Sequence, residues 1–362
     1  MKILFLARST LFTNPGGDSI QVKSTALYLN KLGVEVDIVL SNERDIDYSK
    51  YDLLHLFNLI DCKDHLGHVF ESKKPFVIST IYVDYSEFDR FHRRDLIGFL
   101  AKIFSKHFIS YAKNTAKFLL KGEKVSSYKY FIWGHKKSIK YLLKNASYLL
   151  PNSKNEYQRL AKDFKIETPY HVVVNAVNTE LFNLDSLSTQ KRNDEVLCVA
   201  RIEGLKNQIN LINALSGKPY HLKIIGKASA NQQSYYKMCV RKALSNISFI
   251  PYIKQEELIE YYSKAKVHIL PSWFETTGLS SLEAAAMGCN VVVTDKGDVR
   301  EYFGDLAYYC NPESPESIAL ALEKALIEDV KPELRERVMN NFTWEKAAEQ
   351  TLSAYKKVLK IH

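Results

Sequence analysis

The chain has 362 residues, of which 46% are apolar and 25% charged, and this composition excludes disordered, collagen-like and fibrous proteins. Its length favours two domains, its formal net charge is +9, and it contains no run of the 18 or so apolar residues that a membrane-spanning helix needs. The five cysteines are scattered without a CxxC pair, so we expect neither structural zinc nor disulfides, and the expected compartment is the reduced cytoplasm.

Short apolar runs alternate with helical patterns along the whole chain. In the first half, strands are predicted at residues 2–7, 34–40, 53–57 and 75–80, with a helix at 19–32. In the second half, strands are predicted at 195–200, 221–226, 248–251, 268–271 and 290–294, separated by helices at 207–215, 233–243, 255–265 and 277–287. This alternation is typical of parallel sheets covered by helices on both faces, so the sequence predicts an α/β protein with two doubly wound, Rossmann-like domains.

The border between the two domains is predicted near residues 182–194, where the periodicity is lost and the sequence becomes polar. The first domain would then span residues 1–182 and the second 183–344. Residues 343–359 form an amphipathic helical pattern, with Trp344, Ala348 and Tyr355 on one stripe.

Two loops have residues suited to binding an anion beyond the carboxyl ends of strands, where open parallel sheets bind ligands. The first contains Gly16 and Gly17, whose backbone N–H groups either approach an anion closely or form only a tight turn. The second, at residues 199–207, carries Arg201 and Lys206. These two cations either converge on one diphosphate or remain solvated loop side chains.

A third loop, in the segment PSWFETTGLSSLEAAAMG at residues 271–288, leads from a strand into an Ala-rich helix. Glu275 precedes the helix and can bond the hydroxyls of a ligand at the helix N-terminus, near the N–H groups of Gly278 and Leu279. Glu283 lies two turns further on and can accept two vicinal hydroxyls, such as those of a ribose. The alternative is that Glu275 complements the helix dipole and that Glu283 is an exposed surface glutamate.

The segment from Glu275 to Glu283 resembles the signature of retaining GT-B glycosyltransferases of the family-4 type (GT4, glycosyl transferases group 1). The segments VARIEGLKNQ, VVVNAVNTELF, LKIIGKAS, FIPYI and FTWEKAAEQTLSAYKKVL also match that family in place and order. The resemblance is close from about residue 148 to the end, includes the Gly-Gly loop, and is poor at residues 45–147. It implies a GT-B fold, in which two Rossmann-like domains face each other across a cleft and residues 345–362 pack back on the first domain.

The resemblance also implies an activity, namely retaining transfer of a hexose-type sugar from a UDP- or GDP-linked donor to a glycan or lipid-linked acceptor in bacterial surface polysaccharide synthesis. Arg201 and Lys206 would neutralise the diphosphate and, with Glu275, carry the chemistry, while Glu283 would bond the ribose. The other donor-binding residues would be Gly16, Gly17, Gly226, Ile253 beside the base, Thr277, Gly278 and Leu279. No cofactor and no metal are expected, and the Asp45-Ile46-Asp47 segment is interpreted as a solvated loop. The alternatives are a non-catalytic GT-B scaffold and a nucleotide-sugar epimerase-like enzyme.

The sequence departs from the family pattern after the fourth strand, where many relatives have a Thr-x-His segment. Residues 79–85 here contain no histidine, and Tyr82 and Asp84 are the candidates to line the catalytic cleft. His55, at the end of another strand, is a lesser candidate, and we expect it instead to be a buried structural histidine.

The positive charge is concentrated in one segment, because residues 85–145 carry 14 basic and four acidic side chains. Residues 95–121 are predicted to form one long helix with lysines on one side. This basic segment, residues 88–145, is either a core element with a solvated lysine face or a site of docking to the anionic cytoplasmic face of the cell membrane. Nucleic-acid binding is not expected, because no recognisable nucleic-acid module accompanies the charge.

Overall fold

The computed structural model describes residues 1–93, 96–121, 123, 125–184 and 192–361. The chain divides into two compact units. The first unit consists of Met1–Asn175 together with Trp344–His362, and the second unit is Ala176–Thr343. Among the described helices, none combines the length and the apolar character that crossing a bilayer requires.

The first unit contains a sheet of five parallel strands in the order β2-β1-β3-β4-β5. The strands are β1 (Lys2–Ala7), β2 (Glu35–Leu40), β3 (Leu53–Phe57), β4 (Phe76–Ser79) and β5 (Tyr148–Leu150). The helices between and after them are α1 (Gly17–Lys31), α2 (Cys62–Ser72), α3 (Leu96–Ile103), α4 (Lys106–Lys121), α5 (Lys129–Asn145) and α6 (Lys154–Phe164). Every residue of the central strand β3 is buried, as is usual for a parallel strand covered on both faces.

The second unit contains a sheet of six parallel strands in the order β11-β10-β9-β6-β7-β8. The strands are β6 (Asn193–Val199), β7 (His221–Ile225), β8 (Ile247–Ile250), β9 (Ala265–Leu270), β10 (Asn290–Thr294) and β11 (Tyr308–Cys310). The helices are α7 (Gln208–Leu215), α8 (Gln233–Lys242), α9 (Gln255–Lys264), α10 (Leu279–Ala286), α11 (Val299–Phe303), α12 (Pro315–Ile327) and α13 (Pro332–Asn341). Together the two units confirm the prediction of two doubly wound α/β domains.

The strand order changes direction once in each sheet, between β1 and β3 in the first unit and between β6 and β9 in the second. In doubly wound sheets the loops at the carboxyl ends of two such strands diverge to opposite faces and leave a crevice between them. The crevice of the second unit is therefore bounded by the loops at residues 200–207 and 271–278.

The last helix, α14 (Trp344–Leu359), belongs to the first unit and packs against α1. Its buried stripe includes Trp344, Ala348 and Tyr355. The Tyr355 hydroxyl lies 2.6 Å from Nδ1 of His55 on β3, and the Gln350 side chain accepts a hydrogen bond from the backbone of Val174.

The predicted border between the domains is wrong by several residues, because the units divide between Asn175 and Ala176 rather than after residue 182. Val177 donates its backbone N–H to the carbonyl of Phe342, and the ring of Phe182 packs edge-on against Tyr262, so these residues belong to the second unit. Much of the polar stretch that suggested the border, residues 185–191, lies outside the described residues.

The single long helix predicted at residues 95–121 is also wrong, because the structure contains α3 and α4 in its place. The break falls at Ser105, whose side chain accepts a hydrogen bond from the backbone N–H of Phe108. Ser105 acts in this way as an N-cap, which begins a new helix within a continuous amphipathic pattern. Asp95, the predicted first residue, lies outside the described residues.

Glu156 on α6 forms hydrogen bonds with the chain segments that follow β4 and β5. Its buried carboxylate accepts hydrogen bonds from the backbone N–H groups of Tyr82 (2.8 Å) and Asn152 (2.9 Å) and from the Thr80 hydroxyl. The backbone N–H of Glu156 donates in turn to the Ser153 hydroxyl at 2.9 Å, which caps α6.

We expect Glu156→Ala to lower the free energy of unfolding by about 3 kcal/mol, because buried donors lose their acceptor. The matched control is Glu167→Ala, at an exposed glutamate of the same unit, which should change stability by less than about 0.5 kcal/mol. Urea denaturation of both variants measures the difference, and equal shifts of the two midpoints would contradict this role for Glu156.

Candidate functional site

The two loops that bound the crevice of the second unit are held together by hydrogen bonds. Asn207, which adopts a left-handed backbone conformation (φ 60°) where α7 begins, donates from its side-chain amide to the carbonyls of Pro271 (3.0 Å) and Pro312 (2.7 Å). The backbone N–H of Trp273 donates to the carbonyl of Leu205 at 3.0 Å. The loop after β6 therefore has a fixed position against the loop after β9.

This arrangement brings Lys206 and Glu275 into contact. Nζ of Lys206 lies 2.6 Å from Oε2 of Glu275, and the Ser272 hydroxyl donates to the same oxygen at 3.1 Å. Both charged side chains are largely buried, so solvent screens their attraction less than it would at a surface. The predicted phosphate-binding cation and the predicted sugar-binding acid are thus neighbours.

The segment after β10, at residues 296–298, holds the backbone of Glu275 in place. The Glu275 N–H donates to the carbonyl of Lys296 (3.2 Å), and the N–H of Asp298 donates to the carbonyl of Glu275 (2.9 Å). A Cβ atom on Gly297 would lie 2.0 Å from the Glu275 carbonyl oxygen, and Gly297 has a φ of 108°. Sequence reasoning missed Gly297, although the glycine after β10 is a signal that could have found it.

Arg201 lies on the same loop as Lys206 but is more exposed, with Nη2 3.0 Å from Oε1 of Glu203. Its backbone carbonyl accepts a hydrogen bond from the Gln208 side chain at 2.9 Å. Gly226, at the end of β7, lies so close to this loop that a Cβ atom would be 1.9 Å from the carbonyl oxygen of Ala200. Gly226 therefore permits the close approach of two chain segments.

Gly278 and Leu279 form the start of α10, next to Glu275. Gly278 has a φ of 72°, in the left-handed region that favours glycine, and is the N-cap residue of this helix. Thr277 before it is buried, and Leu279 is the first helical residue. The first N–H groups of a helix have no acceptor within it and are therefore suited to polar ligand atoms. Ile253 lies half-buried in the segment between β8 and α9.

Glu283 is buried on α10, so the alternative that it is an exposed surface glutamate is wrong. Its Oε1 accepts a hydrogen bond from the Gln255 side chain at 2.6 Å, and its Oε2 accepts one from the Tyr262 hydroxyl at 3.0 Å. Burial raises the pKa of the Glu283 carboxyl to about 7, against the lowering effect of these two hydrogen bonds. The sequence does not predict that Gln255 and Tyr262 bond Glu283, because these residues lie on α9 and Glu283 lies on α10.

The first unit places its predicted site residues in two regions. Gly16 is the N-cap of α1 and Gly17 is its first residue. The Arg8 guanidinium, which comes from the segment after β1, pairs with Asp18 in the first turn of α1.

The solvated loop predicted at residues 45–47 is also present. Asp47 is exposed and accepts a hydrogen bond from the backbone of Ser49 at 3.1 Å.

Tyr82 and Asp84 follow β4, and Lys106 lies between two carboxylates there. Nζ of Lys106 is 3.2 Å from Oδ1 of Asp84 and 3.2 Å from Oδ2 of Asp163. The ring of Tyr82 is buried in the core of the first unit, and its hydroxyl donates to Asp163 at 2.5 Å. Although burial acts to raise it, the pKa of Asp84 is lowered, because Ser86 and Lys106 stabilise the carboxylate.

His55 is buried, as expected from the sequence. Its ring nitrogens contact the hydroxyls of Ser79 (2.8 Å) and Tyr355 (2.6 Å), and burial lowers its pKa to about 3. It is therefore neutral and structural.

The raised pKa of Glu283 makes stability depend on pH in a defined direction. The folded protein favours the neutral carboxyl, so the stabilising contribution is complete below the ordinary pKa of 4.5 and is lost as the pH rises to about 7. Relative to Glu283→Gln, we expect the wild type to lose up to about 3 kcal/mol of unfolding free energy over that range.

Urea denaturation of both proteins across this pH range measures the difference, which isolates Glu283 from other titrating groups. Glu256→Gln, at an exposed position on α9, is the control and should leave the pH profile unchanged. A constant difference between wild type and Glu283→Gln at all pH values would contradict the raised pKa.

Comparison with known proteins finds similarity to glycosyltransferases. Residues 182–359 match the family model described as glycosyl transferases group 1. An uncharacterized glycosyltransferase of Methanocaldococcus jannaschii is 24% identical over 212 residues, which are 52% of this chain and 54% of that protein. The chain thus spans about half the length of this curated relative.

Two solved structures are similar over nearly all of the chain. Sucrose-phosphate synthase from Thermosynechococcus elongatus has a TM-score of 0.75 at 16% sequence identity, with 100% of both chains covered. Anabaena HepE in complex with UDP and glucose has a TM-score of 0.68 at 15% identity, with 98% of this chain and 99% of that chain covered. Residues 182–359 therefore match the glycosyl transferases group 1, and the chain has the GT-B fold of glycosyltransferase structures.

Proposed function

We propose that the protein is a retaining, family-4-type glycosyltransferase that transfers a hexose-type sugar from a UDP- or GDP-linked donor. The observation that carries this proposal is the contact between Lys206 and Glu275 at the carboxyl ends of β6 and β9. It supports a site where one ligand presents a diphosphate to the lysine and sugar hydroxyls to the glutamate. The HepE structure, which contains UDP and glucose, supports a nucleotide-linked donor.

The chemistry of transfer explains why a cation belongs at this place. The bond between the anomeric carbon and the diphosphate breaks, and negative charge develops on the leaving oxygen. Fixed positive charge and backbone N–H groups near that oxygen lower the barrier. In this proposal Lys206 and Arg201 supply the charge, the start of α10 at Gly278 and Leu279 supplies N–H donors, and no metal ion is required.

Glu283 is proposed to hold the ribose of the donor. Its two oxygens are already aligned by Gln255 and Tyr262, and a carboxylate with two aligned oxygens can accept hydrogen bonds from vicinal hydroxyls. Thr277, Gly226 and Ile253 are proposed as further contacts of the donor. The roles of Gly16 and Gly17 toward the phosphates stay predictions from the sequence resemblance.

The acceptor is proposed to be a glycan or a lipid-linked molecule of bacterial surface polysaccharide synthesis, used in the cytoplasm. The proposal assigns the first unit to the acceptor, with Asp84 as its main candidate residue. Asp84 is a partly exposed carboxylate with lowered pKa, whereas Tyr82 is buried and bonded to Asp163. A non-catalytic scaffold and an epimerase-like enzyme remain the alternative functions, and product analysis distinguishes them.

We expect Lys206→Ala and Arg201→Ala each to lower kcat by roughly a hundredfold or more, because each removes charge from the developing diphosphate. Release of nucleoside diphosphate from a panel of nucleotide-sugars gives the rate, and calorimetry with UDP and GDP gives the affinity. Lys237→Ala, at an exposed lysine of α8, is the control and should behave as wild type. Wild-type UDP and GDP affinities in both site variants would contradict the proposed phosphate site.

The catalytic assignment in the first unit has its own test. We expect Asp84→Ala to lower turnover by roughly tenfold to a hundredfold, as loss of a group that contacts the reacting sugars would. Tyr82→Phe should have a smaller effect, because it removes only the hydrogen bond to Asp163. If both variants, folded by circular dichroism, kept near-normal turnover with the best donor, the assignment would be dropped.

A further inference from the structure

Exposed apolar side chains are concentrated in one stretch of the first unit's sequence. Of the twenty large exposed apolar side chains among the described residues, nine lie in a stretch that makes up less than an eighth of the chain. We call this the 91–132 surface, and its exposed members are Phe91, Phe99, Ile103, Phe104, Phe108, Leu119, Leu120, Tyr128 and Ile132. Single exposed apolar residues are ordinary in proteins, but such a concentration indicates an interaction surface.

One face of α4 is packed against the rest of the unit. The Tyr111 hydroxyl donates to the carbonyl of Phe131 (3.0 Å), and the Asn114 side chain donates to the Tyr130 hydroxyl (2.9 Å). The ring of Phe118 lies 4.8 Å from that of Phe131, measured between centroids. These contacts fix which side of the helix faces inward.

The opposite side of α4 carries an apolar stripe that faces solvent. Phe108, Ala112, Ala116, Leu119 and Leu120 are all exposed, Leu119 by 71% and Leu120 by 84%. Their spacing of three and four residues places them on one side of a helix with 3.6 residues per turn. Lys113 and Lys117 lie along the edge of this stripe and are also exposed.

The chain segments before and after the stripe are held to the first unit by ion pairs and hydrogen bonds. At the start of α4, Lys106 pairs with Asp84 and Asp163. After its end, the Ser126 hydroxyl accepts a hydrogen bond from the backbone of Gly67 at 2.9 Å, and the Ser126 backbone donates to the carbonyl of Lys63 at 3.1 Å. Both ends of the exposed segment are therefore tied to the folded unit.

The net charge of this part of the chain indicates which kind of partner the 91–132 surface binds. Residues 85–145 carry a net charge of +10, from 14 basic and four acidic residues, whereas the remainder of the chain, by difference from +9, carries −1. A surface that joins apolar side chains with flanking lysines fits a lipid bilayer with anionic headgroups, in which the apolar groups enter the headgroup boundary and the lysines stay with the phosphates. Exposed aliphatic residues such as Leu119 and Leu120 do not suit nucleic acid, which is bound through phosphate contacts and aromatic stacking.

We infer that the 91–132 surface docks the first unit peripherally on an anionic lipid bilayer. The inference rests on exposure and charge and does not require the proposed function. If both hold, the protein works at the surface where a lipid-linked acceptor is found.

The test is sedimentation of the full chain with vesicles of phosphatidylcholine alone or mixed with phosphatidylglycerol, at low and high salt. We expect binding to the mixed vesicles that weakens with salt. Leu119→Ser combined with Leu120→Ser should weaken binding roughly tenfold, because two side chains no longer enter the bilayer boundary. Lys102, on α3, is exposed like Lys117. Lys102→Gln combined with Lys117→Gln should weaken vesicle binding by about fivefold per lysine.

Matched controls separate the stripe from general effects of composition. Leu320→Ser combined with Ile327→Ser removes two exposed apolar side chains of α12, and Lys237→Gln combined with Lys242→Gln removes two exposed lysines of α8. Both controls should bind the mixed vesicles as wild type does.

Three outcomes would overturn the inference. The first is that the wild type does not bind the mixed vesicles at low salt, and the second is that the stripe variants and their controls lose binding equally. The third is that the wild type binds no vesicles and forms a dimer by light scattering, which becomes a monomer in Leu119→Ser combined with Leu120→Ser. The last outcome would assign the stripe to a second copy of the chain. Because these readouts do not involve sugar transfer, failure of the proposed function would leave them unaffected.

Discussion

The ion pair between Lys206 and Glu275 depends on one constraint, the adjacency of β6 and β9 in the sheet. These strands are separated by two other strands in sequence, yet the reversal of strand order makes them neighbours. The loops that leave them therefore start side by side at the crevice, and hydrogen bonds from the Asn207 side chain and the backbone of Trp273 fix the distance between them. A cation and a carboxylate that are 69 residues apart in the chain are thereby held in contact. Parallel strand order, more than any local motif, produces this site.

Most strands of both sheets could be predicted because a parallel strand covered on both faces is a continuous apolar run, as in β3 and β10. β5 and β11 have only three residues each and give too short a pattern to recognise. The sequence pattern does not predict the break between α3 and α4, because a single serine cap interrupts a stretch that otherwise has helical periodicity. The sequence pattern predicts the border between the units too late, because loss of periodicity marks a loop, whereas a unit is defined by contacts such as that of Phe182 with Tyr262.

The sequence predicts the candidate site only in part. Loop composition and the family resemblance are enough to predict Lys206, Glu275 and Glu283 as candidate site residues. They could not predict that Glu283 is buried and bonded by Gln255 and Tyr262, since those partners belong to a different helix. Nor could they show that Gly297 approaches the Glu275 carbonyl, a contact between two separate strand-end loops. What the sequence misses is the partner from another element, because its position depends on tertiary packing.

The placement of α14 has a consequence for how the chain reaches its native state. The first unit is discontinuous, and the hydroxyl that completes the hydrogen bonding of His55 on β3 comes from a tyrosine 300 residues later. During synthesis on the ribosome, the apolar surface of residues 1–175 that α14 covers therefore stays exposed until the second unit and α14 have been synthesised. Folding of the first unit is coupled in this way to translation of the codons for α14, and a nascent chain paused before Trp344 would present an incomplete core to chaperones and proteases.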